Sequence, residues 1–277
     1  MDRIIATIRL LRPLNLAIGA FSVVIGVAIA GELRQTTTIV IATLLVVCFN
    51  AAANALNDYY DYEIDKINRP TRPLVTGLVK RDTAKWLGII LFIIGTGLAF
   101  KLNLGARFLA LGAALPLMVL YTPVLKGQPL IGNIAIALTL GLAFLFAGAA
   151  VGNPGPLLVP AALAFGLTLV RELLKDIADV EGDAKSNLRT LPLLVGEGPA
   201  IITAINLAFL VAVGVMLPFI LNYYNGWYLL VAGIGVFLPL GYIIFALVHK
   251  PEPETAAFSA KLLKIATLMG VIAIYVG

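Results

Sequence analysis

The sequence predicts an all-α, polytopic membrane protein with about nine transmembrane helices in two related halves around a central cavity. Three observations predict it. Of 277 residues, 60% are hydrophobic and only 13% are charged, too little charge to cover a soluble domain of that length. Basic residues collect in alternate connections between the apolar runs. Finally, an acidic pattern occurs twice, 118 residues apart, each time at the end of an apolar run.

A spanning helix needs roughly 20 apolar residues. Nine stretches qualify, at about 13–30, 38–56, 86–100, 105–121, 130–151, 156–173, 200–221, 227–248 and 260–277. Lipid offers no partner for backbone N–H and C=O groups, so these runs are helices. The third and fourth are short and their boundary is soft, so a count of eight also fits. The first run follows a basic segment, as a signal peptide does. No small-residue cleavage pattern follows it and further spans do, so it is read as a retained helix. Cys48, the sole cysteine, lies inside an apolar run and is a packing residue. His249, the sole histidine, falls at a helix end and is interfacial.

Lys and Arg orient the chain. With the N-terminus in the cytoplasm, 17 of the 20 basic residues face that side: Arg3, Arg9 and Arg12, six in 57–85, Lys126, four in 171–199 and three in 249–264. Arg34, Lys101 and Arg107 remain outside. Nine helices then put the C-terminus outside. The net charge of +5 describes a basic cytoplasmic face suited to anionic lipid or phosphorylated substrates. Nucleic acid is excluded as a partner, because membrane spans interrupt the basic residues.

Two connections are long and polar, about 57–85 and 174–199, both cytoplasmic. NALNDYYDYEID at 54–65 aligns with ELLKDIADVEGD at 172–183, matching Asp58 to Asp176, Asp61 to Asp179, Asp65 to Asp183 and Asn54 to Glu172. Four helices separate the copies, so both enter the same face in parallel orientation. The chain is therefore one domain over 1–277, with half-repeats at about 13–125 and 130–245 and an added helix at 260–277.

Positions 54, 58, 61 and 65 form one stripe if the helix continues past the membrane edge, and 172, 176, 179 and 183 repeat it. Gly182 is the expected break in the second stripe. Like charges at these spacings repel, and a divalent cation resolves the repulsion. Oxygen-only ligands select Mg²⁺, Mn²⁺ or Ca²⁺, while the absence of His and Cys from both segments removes zinc and iron. Magnesium held by a few carboxylates shares its other positions with substrate phosphates. Candidate phosphate partners stand nearby: Arg69 and Arg72 after the first stripe, Arg171 and Lys175 at the second, and Arg189 after it. YTPVLKG at 121–127 adds Tyr121 and Lys126 at a third cytoplasmic helix end. Asp82, Glu252 and Glu254 are surface residues.

These motifs resemble those of the UbiA-type intramembrane prenyltransferases, through Asn-Asp-x-x-Asp-x-x-x-Asp at 57–65 and Asp-x-x-Asp-x-x-x-Asp at 176–183. Within that superfamily, four stretches are most similar to the archaeal digeranylgeranylglyceryl phosphate synthase branch. They are RPLN at 12–15, NDYYDYEIDKINRPTRPLVTG at 57–77, YTPVLKGQPLIGNI at 121–134 and RELLKDIADVEGDAKSNLRTLP at 171–192. The resemblance implies transfer of a geranylgeranyl or other polyprenyl group from its diphosphate to the hydroxyl of geranylgeranylglyceryl phosphate. That step makes the second ether bond of archaeal-type lipid. It implies more than one Mg²⁺ ion on the aspartates, with Asp58, Asp61, Asp176 and Asp179 as inner ligands. Asn54, Asn57, Asp65 and Asp183 are then further ligands or their supports. Arg72, Lys126, Lys175 and Tyr121 contact the diphosphate, with Arg69 and Arg189 as additional candidates. Asn15 and Asn133 belong to the site wall.

Such chemistry breaks an allylic C–O bond, and metal plus cationic side chains stabilise the departing diphosphate. The developing carbocation needs dry, apolar walls. Tyr59, Tyr60, Phe144, Phe146 and Phe165 are candidates to offer π faces to it; core packing is the competing role for each phenylalanine. Small residues in 141–152 and 161–166 line a prenyl tunnel or mark close helix packing. The proton of a hydroxyl acceptor goes to an aspartate or to the diphosphate. Two other readings compete: an aromatic acceptor such as 4-hydroxybenzoate or a quinone precursor, and a cation transporter. Arg12, Lys80 and Arg81 are available for an acceptor phosphate, which favours the lipid. Transport is disfavoured because the repeats are parallel and the carboxylates lie at one face beside arginines, not near the midplane.

Overall fold

Every regular element in the computed structural model is helical among the described residues, which are 2–185 and 188–277. Ser186 and Asn187, inside the second acidic stretch, lie outside them. The helices are α1 (Asp2–Leu11), α2 (Pro13–Ile29), α3 (Thr36–Tyr60), α4 (Tyr62–Asn68), α5 (Arg81–Ala99), α6 (Leu104–Leu125), α7 (Ile131–Ala150) and α8 (Leu158–Ala178). Then come α9 (Val180–Lys185), α10 (Leu191–Val195), α11 (Glu197–Ile220), α12 (Gly226–His249) and α13 (Pro253–Val276). Eight helices have the length and hydropathy of a span, and the bent pair α1–α2 raises the number to nine.

The third and fourth apolar runs are separate helices, α5 and α6, in agreement with nine runs. Other boundaries correct the expectations. Residues 57–85 are not one loop: α3 extends to Tyr60, α4 follows, and α5 starts at Arg81. The last helix starts at Pro253 rather than at 260. A separate α1 was not expected. It meets α2 at 43° because Arg12 adopts φ 55° and ψ 70°. Pro13 disfavours the right-handed helical region for the residue before it, and the proline itself suits a helix's first position.

Three π-helical turns, Phe108–Ala114 and Tyr121–Leu125 in α6 and Gly233–Phe237 in α12, were also unexpected. Each contains a proline or precedes one by two residues: Pro116, Pro123 and Pro239. Proline removes one backbone donor from the ladder, and the hydrogen bonding slips to the wider turn.

The helices divide into two compact units. The first comprises residues up to Val124 together with Leu142–Leu157. Inside it α3 packs closely on α5. A Cβ at Gly95 would lie 2.5 Å from the Phe49 ring, and one at Gly88 would lie 2.6 Å from Leu56, so this contact depends on two glycines seven residues apart. Phe49 and Phe92 meet edge to face at 5.4 Å. At the end of this unit where α1 lies, Ala6 and Leu10 of α1, Ala55 of α3, Leu74 and Val79 of the 69–80 segment, and Ala84 of α5 form a buried cluster.

The second unit comprises Leu125–Gly141 and Leu158–Gly277. Its centre is α8, whose Leu167, Leu173, Leu174 and Ile177 are fully buried among α11 and α13. Gly141 of α7 sits against Ala161 of α8, where a Cβ would lie 2.9 Å from the Ala161 carbonyl oxygen. Of the two roles open to these small residues, close packing is the one seen here.

Candidate active site

The two acidic segments share a backbone device that their sequences only half reveal. In the first, α3 stops at Tyr60, Asp61 stands in a turn and α4 begins at Tyr62. In the second, α8 stops at Ala178, Asp179 stands in a turn and α9 begins at Val180. The break is thus at Asp179 and not at Gly182, which is helical. The hydrogen-bond ladder continues through both breaks. Asp61 N–H donates to the Asn57 carbonyl at 2.8 Å and Asp65 N–H to the Asp61 carbonyl at 2.7 Å; Asp179 to Lys175 and Asp183 to Asp179 both measure 2.9 Å. Each segment is a hinged helix with a carboxylate at the hinge.

In the first unit, Asp58 and Asp65 are 3% and 5% exposed and share Arg72. Its Nη1 donates to Asp58 Oδ1 at 2.7 Å and to Asp65 Oδ2 at 2.5 Å. Arg12 Nη2 donates to the same Asp58 oxygen at 2.5 Å. Arg72 is held by a turn in which Thr76 N–H donates to its carbonyl, by buried Leu74 within that turn and by buried Val79 after it. Burial pushes the Asp65 carboxyl above its ordinary range despite the pull of Arg72. Asn54 Nδ2 donates to the Leu11 carbonyl at 3.0 Å, fastening α3 to the end of α1. Thr122 donates its hydroxyl proton to Asn57 Oδ1. Tyr59 and Tyr60 pack edge to face, while Arg81 and Lys85 lie over the Tyr59 ring at 4.7 and 5.9 Å. Its π face is therefore taken by cations of the protein itself. Asn15 and Arg69 are exposed, and Asp61 and Tyr121 are half-buried.

In the second unit, Asn133 Nδ2 donates to Asp176 Oδ2 at 2.7 Å. Buried Glu172 accepts from Arg171 at 2.6 Å and from Lys175 at 2.7 Å. Burial, then the neighbouring Asp179 charge, pushes the Asp183 carboxyl up to about 6, with Lys126 and Lys175 pulling the other way. Lys126 sits in a turn pressed against the start of α7. A Cβ at Gly132 would lie 3.0 Å from the Leu125 carbonyl oxygen and 3.2 Å from Lys126 Cα, so only glycine lets that turn close. Asp179 and Arg189 are exposed. Of the phenylalanines considered as wall residues, Phe144 and Phe146 are buried in the first unit's packing, and Phe165 of α8 is half-buried.

Sequence reasoning missed Thr122, offered Arg12 only to an acceptor phosphate, and placed Glu172 on the second stripe without a role in the site. For Glu172 a signal existed, since it aligns with Asn54. Arg12 and Thr122 come from distant elements, and no spacing announces them.

Among the described residues, no three Asp, Glu, His or Cys side chains are drawn together as a ready metal cage. Arginines engage one oxygen each of Asp58 and Asp65. The donor set nonetheless fits a hard divalent cation, because every candidate ligand atom is an oxygen. Half-buried Asp183, beside Asp179, has the raised affinity for a proton that a cation would relieve.

A model of the UbiA prenyltransferase family matches residues 19–268. The digeranylgeranylglyceryl phosphate synthase of Methanopyrus kandleri is 39% identical over 274 residues, with 97% of each chain covered. That of Thermococcus gammatolerans is 36% identical, covering 97% of this chain and 96% of the relative. A solved structure concerned with digeranylgeranylglyceryl phosphate synthase in membranes superposes with a TM-score of 0.81 at 31% identity, over 100% of this chain and 99% of that one. A UbiA homologue from Archaeoglobus fulgidus, bound to GPP and Mg²⁺, shares the fold with a TM-score of 0.71 at 20% identity, over 97% and 99% of the two chains.

Proposed function

The chain belongs to the UbiA prenyltransferase family, and from that premise we propose that it transfers a geranylgeranyl group from its diphosphate to the free hydroxyl of geranylgeranylglyceryl phosphate. The product carries the second ether bond of an archaeal-type lipid. One observation carries the choice of acceptor: identity of 39% over 97% of both chains to a digeranylgeranylglyceryl phosphate synthase, a span that includes both acidic segments.

Asp58, Asp61 and Asp65, and Asp176, Asp179 and Asp183, are the proposed ligands of more than one Mg²⁺. Bound there, Mg²⁺ supplies positive charge that stabilises the departing diphosphate. Arg72 and Arg12 hold Asp58 in place through its Oδ1. With those carboxylates on Mg²⁺, the same guanidiniums would be available to fork onto phosphate oxygens. Lys126 and Lys175 add point charges, and Tyr121 adds a hydroxyl. Asn133 orients Asp176, Thr122 orients Asn57, and Asn54 fixes the end of α3. Arg69, Arg189 and Asn15, all exposed, remain substrate contacts in this reading. As the allylic C–O bond breaks and the acceptor oxygen bonds to the same carbon, the hydroxyl proton leaves to a carboxylate or to the diphosphate.

The protein is a multi-pass component of the cell membrane, with the N-terminus and the acidic segments in the cytoplasm and the C-terminus outside. Its single domain derives from two half-repeats, at about 13–125 and 130–245, plus a final helix. These assignments rest on the 17-to-3 distribution of basic residues and on the 118-residue offset.

The test is a vesicle assay with geranylgeranyl diphosphate and Mg²⁺, offering geranylgeranylglyceryl phosphate or 4-hydroxybenzoate in separate reactions. Turnover of the lipid alone is expected. Turnover of the aromatic alone would reassign the acceptor, and cation flux without turnover of either would replace the enzyme by a transporter.

A further inference from the structure

The amphipathic α1 presents two apolar faces, and the protein buries only one. Ala6 and Leu10 are 3% and 0% exposed, sunk in the cluster with Ala55, Leu74, Val79 and Ala84. On the opposite side of the same helix, Ile4, Ile5 and Ile8 are 68%, 42% and 51% exposed. At about 100° per residue, Ile8 stands about 180° and Ile4 about 140° from the midpoint of Ala6 and Leu10, a consequence of 3.6 residues per turn. Arg9, also exposed, borders the isoleucine face on one flank, and Arg3 lies toward the other. Two residues beyond the end of α1, Pro13 opens the apolar α2.

From this we infer that α1 is an interfacial anchor whose Ile4–Ile5–Ile8 face enters the hydrocarbon edge of the cytoplasmic leaflet, with Arg3 and Arg9 against anionic headgroups. Two features select lipid over a second protein. The face is continuous with a membrane-spanning helix, and its flanking charges complement the acidic cytoplasmic leaflet. With α2 taken along the membrane normal, the 43° bend leaves Ile8 deeper than Ile4 by about 4 Å, the projection of an axial rise of about 6 Å over four residues.

Anchoring has a consequence for the site. Leu11 accepts from Asn54, and Arg12 donates to Asp58. The membrane contact of α1 therefore positions Arg12 on the first acidic segment. This link to activity rests on the proposed prenyl transfer, whereas the lipid contact itself does not.

Single-cysteine variants of the full chain test it, made on Cys48→Ala and spin-labelled at Ile4→Cys, Ile8→Cys or, as an aqueous reference, Lys66→Cys. They are reconstituted in phosphatidylcholine vesicles with and without phosphatidylglycerol. Accessibility to oxygen relative to a nickel chelate is measured for each. The expected result is preferential oxygen access at both isoleucine sites, greater at Ile8, and deeper with phosphatidylglycerol present. Nickel access at Ile8 equal to that at Lys66 would overturn the anchor, and dipolar coupling between labels on separate chains would replace lipid by a second copy. Equal depth in both vesicle types would remove the role of the arginines. The double variant Ile4→Asn/Ile8→Asn should slow prenyl transfer by about tenfold while Lys66 labelling stays unchanged; an unaltered rate would sever α1 from the positioning of Arg12.

Discussion

Arg72 holds Asp65 through a 2.5 Å hydrogen bond while the same nitrogen holds Asp58 at 2.7 Å. One guanidinium thus ties the end of a spanning helix to the hinged segment that follows it. All three side chains are largely buried, so removal of the cation strands two carboxylates in a poorly solvated place. Arg72→Gln should reduce prenyl transfer by about 100-fold, the scale for loss of one charge-stabilising group, and should lower the thermal unfolding temperature. Adding Asp65→Asn should recover the unfolding temperature but not the rate. Recovery of both would reduce Arg72 to a structural tie.

The carboxylates at the two hinges make a contrasting prediction. Asp61 is half-buried and Asp179 is exposed, so neither supports much packing. Asp61→Asn and Asp179→Asn should each abolish transfer, and at exposed Asp179 the stability should change by less than about 0.5 kcal/mol, as for surface substitutions generally. Turnover by vesicle assay and unfolding by calorimetry separate the two effects. A near-native rate in either variant would remove that residue from the metal assignment.

The raised carboxyls predict how pH acts. Asp183 has its folded value pushed up to about 6 from an ordinary 3.8, and Asp65 is raised as well. Between those values the folded chain binds more protons than the unfolded one, so the stability contributed by these groups falls as pH rises through that window. Without Mg²⁺ the protein should unfold at a higher temperature at pH 5 than at pH 7.5. With Mg²⁺, which competes for the ionised form, the order should narrow or reverse, and the concentration for half-maximal activity should rise as pH falls below about 6. Asp183→Asn should flatten the metal-free difference. Identical unfolding at both pH values would contradict the assignment.

Gly132 predicts an effect without touching any charge. A methyl there meets the Leu125 carbonyl oxygen and the Lys126 backbone at 3.0 to 3.3 Å, and backbone cannot swing aside. Gly132→Ala should shift Lys126 and raise the KM for the prenyl diphosphate by about tenfold, on the scale of one misplaced charged contact, with kcat less affected. An unchanged KM would mean that Lys126 does not contact the diphosphate.

The spans and the acidic pairs were legible in the sequence because they obey periods: about 20 apolar residues per crossing, and carboxylates at positions 54–65 repeated 118 residues later. The break at Asp179 was not legible. Gly182 is the weaker helix former, yet an unbroken backbone ladder carries it inside α9. Arg12 was only partly legible: Pro13 forecasts a restricted residue before it, but not that the resulting bend would aim a guanidinium at Asp58, 46 positions away. Thr122 on Asn57 was beyond sequence reasoning for the same reason, since no local pattern encodes a contact across 65 positions.

The small cluster of Ala6, Leu10, Ala55, Leu74, Val79 and Ala84 gives this chain two folding solvents. Its spanning helices are satisfied by hydrocarbon, but the segment that carries Arg72 is seated by Leu74 and Val79 through exclusion of water. Urea and detergent should therefore attack different parts. A mild chaotrope would loosen the Arg72 segment while the helices stay inserted, and a harsh detergent would separate the helices first. Purification that preserves helicity alone is then no guarantee that the acidic segment keeps its arginine.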